Sequence, residues 1–163
     1  MGRTIVAVSG RPGLAPLVAR WRVDAFFRDG GGWTVEAMIA AILAPPVGPE
    51  ENFVLFDRDR PTGTVGLVRA DLEARPDLTP WLAGLFVLPE FRGRGHATAL
   101  VRRVEAFARA ASVPTLWLCT STAGQFYARL GWRRAGTERE NGHEVTLMRR
   151  LLSDGRLASG AIR

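Results

Sequence analysis

The sequence predicts a single α/β domain of 163 residues, built from about seven strands and four helices. Two observations favour this class. Short apolar segments typical of strands alternate with segments whose apolar residues follow the helical period. Residues 81–97 also run from an apolar strand through a glycine-rich turn into an amphipathic helix. With 47% hydrophobic and 23% charged residues, the composition is that of an ordinary globular protein.

The N-terminal part contains one predicted strand and two predicted helices. Residues 4–8 alternate as a strand does. A second segment, with Pro12 near its start, carries apolar residues at helical spacing. These residues are Leu14, Leu17, Val18, Trp21 and Ala25. Thr34 is a suitable N-cap for a second helix that continues through Leu43.

Three strands are predicted in the middle of the chain. Residues 52–57 and 64–70 have strand character and are joined by the turn-rich connection 58–63. A polar, proline-flanked loop follows at 71–80. Residues 81–87 then form the central strand, which leads directly into the glycine-rich turn.

The third helix has the clearest periodicity, and we expect one face to be buried and the other solvated. The apolar stripe consists of Ala97, Leu100, Val101, Val104, Phe107, Ala108 and Ala111. The charged residues expected in solvent are Arg102, Arg103, Glu105 and Arg109.

A strand at 115–119 and a two-turn helix at 123–130 follow, and Gly131 closes this helix. Cys119, the only cysteine, lies in the strand. A single cysteine excludes an internal disulfide and suits a reducing compartment. We expect it to be a small buried side chain.

The last predicted element is a hairpin over 132–140 and 143–151, turned by the Asn-Gly pair at 141–142. The residues after it lack periodicity. We therefore expect one domain over 1–152 and a flexible tail over 153–163.

The formal net charge of +6 comes from 22 arginines, with no lysine, against 16 acidic residues. The arginines are dispersed and no aromatic platform for stacked bases lies among them, so nucleic acid is not an expected partner. The longest apolar run, 37–43, is too short for a membrane span, and the N-terminus lacks a signal-peptide pattern. We expect a cytoplasmic monomer or homodimer without a metal site or membrane partner.

The segment Leu85-Phe86-Val87-Leu88-Pro89-Glu90-Phe91-Arg92-Gly93-Arg94-Gly95-His96-Ala97 is the most informative in the chain. It places backbone N–H groups at the positive end of a helix dipole, beside two guanidinium groups, which suits a phosphate-bearing ligand. It lacks the third glycine of a dinucleotide-binding loop and the lysine of a nucleoside-triphosphate loop.

Residues 92–97 match the pattern Arg-x-x-Gly-x-Gly/Ala, and the segment resembles the acyl-CoA-binding motif of the GNAT superfamily of N-acyltransferases. Residues 120–132 resemble a second family block, Asn-x-x-Ala-x-x-Phe-Tyr-x-x-x-Gly-Phe/Trp. The residues that fit are Ala123, Phe126, Tyr127, Gly131 and Trp132. Thr120 stands where the family usually has Asn, so an amide contact to pantetheine is replaced at best by a hydroxyl.

This resemblance implies a mixed, mostly antiparallel sheet with helices on both faces and two central parallel strands that splay apart. It also implies acetyl-CoA as cofactor, with its pyrophosphate on the 92–97 turn and its pantetheine arm along the strand edge. The implied cofactor-binding residues are Leu85, Phe86, Val87, Arg92, Gly93, Arg94, Gly95, His96, Ala97, Thr120, Ala123 and Phe126. The side chain of His96 itself is expected to be exposed.

The implied function is transfer of an acetyl group from acetyl-CoA to a primary amine of a small molecule, or of a protein, by direct attack. Tyr127, the only tyrosine, takes the position of the family's proton donor, and a phenol stays protonated at neutral pH. An acyl-CoA-binding sensor without catalytic activity is the alternative.

The general base and the acceptor site stay open. No carboxylate occurs in the strand at 81–85, and the nearest acids are in the preceding loop. The candidate bases are Asp71, Glu73, Asp77, His143 and Glu144; a chain of water molecules, or an acceptor with an intrinsically low pKa, is an equal alternative. Four aromatic residues could line an acceptor pocket or simply pack against the helices. They are Trp21, Phe26, Phe27 and Trp33.

Overall fold

The computed structural model describes residues 2–28 and 32–152. Seven strands form one sheet, and four helices pack on it. The strands are β1 (Arg3–Ala7), β2 (Glu51–Asp57), β3 (Arg60–Val68), β4 (Trp81–Val87), β5 (Thr115–Thr120), β6 (Arg133–Glu140) and β7 (His143–Leu151). The helices are α1 (Ala15–Phe26), α2 (Val35–Leu43), α3 (His96–Ala110) and α4 (Gly124–Arg129). The order across the sheet is β1-β2-β3-β4-β5-β7-β6.

Helices cover both faces of the sheet, and the side chains of β2 alternate between the two resulting cores. Val54 and Phe56 pack with Val18 of α1 in one core. Phe53 and Leu55 point the other way, into the larger core beneath α3. The predicted α/β class, with helices on both faces of a mixed sheet, is therefore confirmed.

β4 and β5 are the parallel pair of the sheet, and they separate almost as soon as they meet. Within the described ranges, the one Cα pairing between them joins Trp81 to Trp117. The Trp117 N–H also donates to the carbonyl oxygen of Pro80, with an N–O distance of 3.2 Å. The expected splay is present, and it opens a cleft beyond the carboxyl ends of both strands, where α/β folds commonly bind ligands.

A β-bulge bends β4 beside this cleft. Thr64 pairs with Phe86 and Gly66 with Ala83, so two residues of β4 lie opposite one residue of β3. One of the two, Gly84, has a φ of 68°, a left-handed conformation that favours glycine. The bulge therefore sets the direction in which the end of β4 leaves the sheet.

The hairpin between β2 and β3 is tighter than predicted. β3 begins at Arg60, whereas the sequence predicts residue 64, and only two residues turn the chain. Leu55 pairs with Gly63 and Phe56 with Pro61, so Thr62, next to the proline, is the extra residue of a second bulge. Bulges admit proline within a strand, so the residues assigned to the connection belong to the ladder.

Other elements follow the sequence prediction within one or two residues. The Thr34 hydroxyl accepts a hydrogen bond from the Ala37 N–H at 3.0 Å and caps α2. Asn141 and Gly142 both have positive φ, as a two-residue hairpin turn of the primed type requires. The tail predicted over 153–163 lies outside the described residues.

Glu105 contradicts the prediction of a solvated outer face on α3. Its side chain is 1% exposed. The carboxylate accepts hydrogen bonds from Trp132 Nε1 at 3.0 Å and from Arg102 Nη1 at 2.9 Å. The prediction is wrong because Trp132, which follows α4, packs against this side of the helix.

In the part of the chain that the structure describes, no helix is long and apolar enough to cross a membrane. Nor does this part bring together three or more His, Cys, Asp or Glu side chains that could hold a metal ion.

Candidate active site

A cleft of about 1100 Å³ opens where β4 and β5 diverge, and α1, α2 and the β6–β7 turn complete its walls. Nine of the predicted site residues line it. They are Leu85, Phe86, Val87, Arg92, Ala97, Thr120, Ala123, Phe126 and Tyr127. The structure thus brings the two sequence blocks, separated by more than twenty residues, to one cavity.

The end of β4 offers an open edge to this cleft. The Leu88 N–H donates to the Thr62 carbonyl oxygen of the β3 side at 2.8 Å. Because successive residues of a strand alternate, the N–H and C=O groups of Val87 point to the opposite side, towards the cleft. The Val87 carbonyl accepts a hydrogen bond from Arg92 Nε at 2.8 Å, which ties the loop to the strand end.

The turn before α3 presents free backbone donors. Gly93 and Gly95 adopt left-handed conformations, with φ of 77° and 83°, and Gly95 caps the helix. Within the described ranges, the N–H groups of residues 95–98 donate to no protein acceptor. With the positive end of the dipole of a fifteen-residue helix, these donors form a site suited to phosphate.

The side chains of Arg94 and His96 turn away from the cleft. The Arg94 guanidinium lies over the Phe91 ring, 5.2 Å from its centroid, in a separate surface hollow. His96 is 3% exposed, so the expected exposed side chain is wrong. Both residues can still serve a ligand through their backbone N–H groups.

His96 anchors the first turn of α3 to the β2–β3 hairpin. Its Nδ1 lies 3.2 Å from the Thr62 hydroxyl, its Nε2 lies 3.6 Å from an Asp57 carboxylate oxygen, and its ring stacks on Phe91. Desolvation, with nearby Arg3, lowers the pKa of His96. The imidazole is therefore neutral at pH 7 and acts as a packed structural group.

Thr120 closes the other side of the cleft at the end of β5. Its hydroxyl accepts a hydrogen bond from the Ala123 N–H at 3.0 Å and so shapes the turn into α4. This contact uses one lone pair and leaves the hydroxyl hydrogen available to a ligand.

Tyr127 is held in the wall of the cleft by aromatic neighbours. It is 6% exposed, and its ring meets Phe126 and Trp132 edge to face, with centroids 5.0 and 6.0 Å away. Burial raises the pKa of the phenol above its usual value, with a smaller contribution from Cys119. The hydroxyl is therefore a proton or hydrogen-bond donor across the physiological range.

Asp71 is the predicted base candidate that the structure brings to the cleft. Asp71 is an exposed residue, yet the walls of the cleft restrict the solvation of its carboxylate. Desolvation, reinforced by Glu140, raises its pKa to about 6. The Cys119 thiol donates a hydrogen bond to Asp71 Oδ2, with a distance of 3.7 Å between sulfur and oxygen. This hydrogen bond and the positive charge of Arg22 both lower the pKa of Asp71 and so partly oppose the rise.

The other predicted bases lie elsewhere. Asp77 binds Arg75 at 2.9 Å on the surface. The remaining three do not line the cleft. They are Glu73, His143 and Glu144. Of the four aromatic candidates for the acceptor pocket, Phe26, Phe27 and Trp33 line the cleft, whereas Trp21 packs into the core beneath α1 and α2.

Arg22 of α1 lines the cleft and was not predicted as a site residue. It is 6% exposed, although α1 otherwise turns apolar and small side chains to its buried face. The helical period carried this signal, because Arg22 lies one turn after Val18 on the same face. A charged residue on the apolar face of an amphipathic helix indicates a candidate functional residue, and the spacing of residues shows it where composition does not.

Solved acetyltransferases share this fold. A coenzyme A complex of aminoglycoside 6′-N-acetyltransferase aligns over 93% of this chain and 98% of its own, with a TM-score of 0.74 and 14% identity. YncA from Salmonella typhimurium, with its cofactor acetyl-CoA, aligns over 93% of this chain and 95% of its own, with a TM-score of 0.72 and 15% identity. An N-acetyltransferase from Staphylococcus aureus Mu50 aligns over 94% of this chain and 100% of its own, with a TM-score of 0.74 and 15% identity.

The sequence itself identifies the family. The profile of the acetyltransferase (GNAT) domain matches residues 49–134, more than half of the chain. The chain therefore belongs to the GNAT family of acetyltransferases, and the resemblance of its two motifs to that family is confirmed. No curated protein matches the sequence.

Proposed function

We propose that the protein transfers an acetyl group from acetyl-CoA to a primary amine of a small molecule by direct attack. The observation that carries this proposal is that the open Val87 edge and the Tyr127 side chain line one cleft, which the turn before α3, with its free N–H groups, borders at Arg92 and Ala97. Family membership, and similar folds solved with coenzyme A or acetyl-CoA, support it.

The cofactor is held along one side of the cleft. The N–H groups of the turn at 93–98 and the Arg92 guanidinium bind the pyrophosphate. The pantetheine arm runs along the open edge at 85–87. The surface around the bound cofactor is formed by other residues that line the cleft, namely Ala97, Thr120, Ala123 and Phe126.

The acceptor amine must lose a proton before it can attack. An alkylammonium has a pKa near that of lysine, about 10.4, so little of it is neutral at pH 7. Asp71, with its pKa raised to about 6, is ionised at this pH and accepts the proton better than an ordinary carboxylate.

The neutral amine then attacks the thioester carbonyl carbon. The Val87 N–H stabilises the resulting oxyanion, as a backbone donor does in an oxyanion hole. Collapse breaks the carbon–sulfur bond, and the thiolate takes the proton of the Tyr127 hydroxyl. The amine nitrogen loses its second proton to the Tyr127 phenolate. Overall, an ammonium ion and acetyl-CoA give an amide, free CoA and one proton, which leaves Asp71 for solvent.

Cys119 does not provide an acetyl-enzyme route. Burial raises the pKa of its thiol, and the negative charge of Asp71 raises it further. The reactive form of cysteine is the thiolate, which this environment suppresses at neutral pH. Direct transfer between the bound cofactor and the amine is therefore the favoured sequence of events.

Release of free CoA thiol in the presence of a panel of primary amines tests the proposal. We expect amine-dependent thiol release and a product whose mass is greater by one acetyl group. Acetyl-CoA binding without turnover on any amine would instead favour the acyl-CoA-binding sensor. Cys119→Ser should retain activity, because the thiol takes no part in transfer.

A further inference from the structure

Arg22 carries a charge that the described part of the protein does not neutralise. Its Nε and Nη2 atoms are closed off from solvent and donate no hydrogen bond within the described ranges. No carboxylate of these ranges comes within 4.0 Å of the guanidinium. A buried ion without a partner is strongly unfavourable, so such an arrangement calls for a function.

The charge is nevertheless present at neutral pH. Desolvation lowers the pKa of Arg22 to about 10, and Asp71 partly opposes this shift. A group with a pKa of about 10 is still almost wholly protonated at pH 7. The cleft therefore contains a permanent cation in a poorly solvated wall.

The sheet is shaped to accommodate this side chain. A Cβ at Gly84 would lie 2.6 Å from Arg22 Nε, and a Cβ at Gly66 would lie 3.0 Å from its Nη2. Two glycines, one of them in the β4 bulge, thus make room for the guanidinium. Its Nε and Nη2 edge faces the strands, which leaves the Nη1 side for a ligand in the cleft.

We infer that Arg22 binds a carboxylate of the acceptor, so that the substrate is an amino acid rather than a simple amine. This inference rests on the proposed acetyl transfer. Asp71 lies in the same cleft, without an ion pair to Arg22, and receives the ammonium group. The two opposite charges match the two ends of a zwitterion.

The rest of the acceptor is predicted to be apolar. Phe26 and Trp33 line the same cleft and are 50% and 40% exposed. Phe27 meets Trp33 with a centroid distance of 6.2 Å. Large exposed aromatic surfaces beside a charged pocket suit an apolar side chain, so amino acids such as leucine and phenylalanine are the expected class.

Matched ligand pairs test the inference without any variant. The CoA-loaded protein is titrated calorimetrically with phenylalanine and phenethylamine, and with leucine and 3-methylbutylamine. Each pair differs by the carboxylate alone. We expect the amino acid to bind about tenfold more tightly or better, which corresponds to ~1.4 kcal/mol. Equal binding, tighter binding of the decarboxylated partner, or no binding of either amino acid would overturn the inference.

Variants locate the effect at Arg22. Arg22→Gln should abolish the preference for the amino acid over its decarboxylated amine, whereas CoA, whose proposed contacts do not include Arg22, should still bind. Arg20→Gln removes the same charge from an exposed position of α1 and is the matched control. Equal losses for both members of a pair in Arg22→Gln would contradict carboxylate recognition. Thermal unfolding of each variant checks that it folds.

The two proposals fail in different ways. If CoA does not bind, the proposed acetyltransferase function fails. If CoA binds and phenethylamine is acetylated as well as phenylalanine, the function stands and the carboxylate inference fails.

Discussion

Arg92 and Val87 are joined by a hydrogen bond of 2.8 Å from the guanidinium Nε to the carbonyl oxygen. The same guanidinium lies 5.8 Å from the Phe86 ring centroid. Both contacts hold Arg92 at the cleft, and within residues 2–28 and 32–152 its two terminal nitrogens donate to no protein acceptor. The bond also links the two parts of the proposed cofactor site, the phosphate-binding turn and the strand edge.

Arg92→Ala is expected to weaken CoA binding by about tenfold or more, because a charged hydrogen bond to phosphate contributes ~1.5–3 kcal/mol. Pantetheine, which lacks the pyrophosphate, should lose less. Arg94→Ala is the matched comparison, and its effect should be smaller because its side chain lies on Phe91. Calorimetric titration measures the affinities of both variants for CoA and of Arg92→Ala for pantetheine. A larger loss of CoA affinity in Arg94→Ala than in Arg92→Ala would contradict the assignment of the phosphate contact.

Tyr127→Phe should reduce kcat by about 10²-fold or more while the affinity for acetyl-CoA changes little. The phenyl ring keeps the contacts with Phe126 and Trp132, so only the hydroxyl is removed. Steady-state kinetics and a separate binding titration distinguish the two effects. Unchanged kcat would show that Tyr127 is a packing residue.

The pH dependence of kcat/KM for the amine should show an ascending limb with an apparent pKa of about 6, the value to which Asp71 is raised. Below this pH the carboxyl is protonated and cannot accept a proton. In Asp71→Asn this limb should disappear and the activity should fall. An identical limb in the variant would exclude Asp71 as the base.

The same residue predicts a change in stability. The pKa of Asp71 is higher in the folded chain than its ordinary value of 3.8, so the native state binds the proton more tightly. The protonated Asp71 carboxyl therefore favours the folded state: this stabilisation is fully present below pH 4 and is lost as the pH rises through 6. Asp71→Asn should therefore raise the melting temperature at pH 7 relative to the wild type, and this advantage should vanish near pH 4.

Glu105→Ala should destabilise the protein by roughly 3 kcal/mol, because it leaves the Trp132 indole N–H without its acceptor and removes a buried charged partner of Arg102. Urea unfolding measures the difference. Arg109→Ala, at an exposed position of the same helix, should stay within about 0.5 kcal/mol. Equal effects of the two variants would refute the structural role of Glu105.

The periodic elements were predictable because local rules determine them. The stripe of α3, the Thr34 cap and the Asn141-Gly142 turn each need only a few neighbouring residues. The cap and the turn are present, and the stripe is buried or half-buried except for Ala111, which follows the helix and is exposed. The phosphate-binding turn was predictable for the same reason, since its donors belong to one continuous segment.

The buried polar residues could not be predicted in this way. Glu105 is buried because a tryptophan distant in sequence covers it, and His96 because the β2–β3 hairpin surrounds it. The helical period places Arg22 on the buried face of α1, but the space for its guanidinium depends on Gly66 in β3 and Gly84 in β4, which are distant in sequence. Asp71 could be proposed as one base among several, but its place in the cleft depends on how the loop before β4 folds.

Chemical unfolding with and without acetyl-CoA tests most directly whether the cleft is a cofactor site. At a hundredfold excess of acetyl-CoA over its dissociation constant, the free energy of unfolding should increase by about 2.7 kcal/mol. An unfolding curve that does not shift at millimolar acetyl-CoA would contradict the central claim.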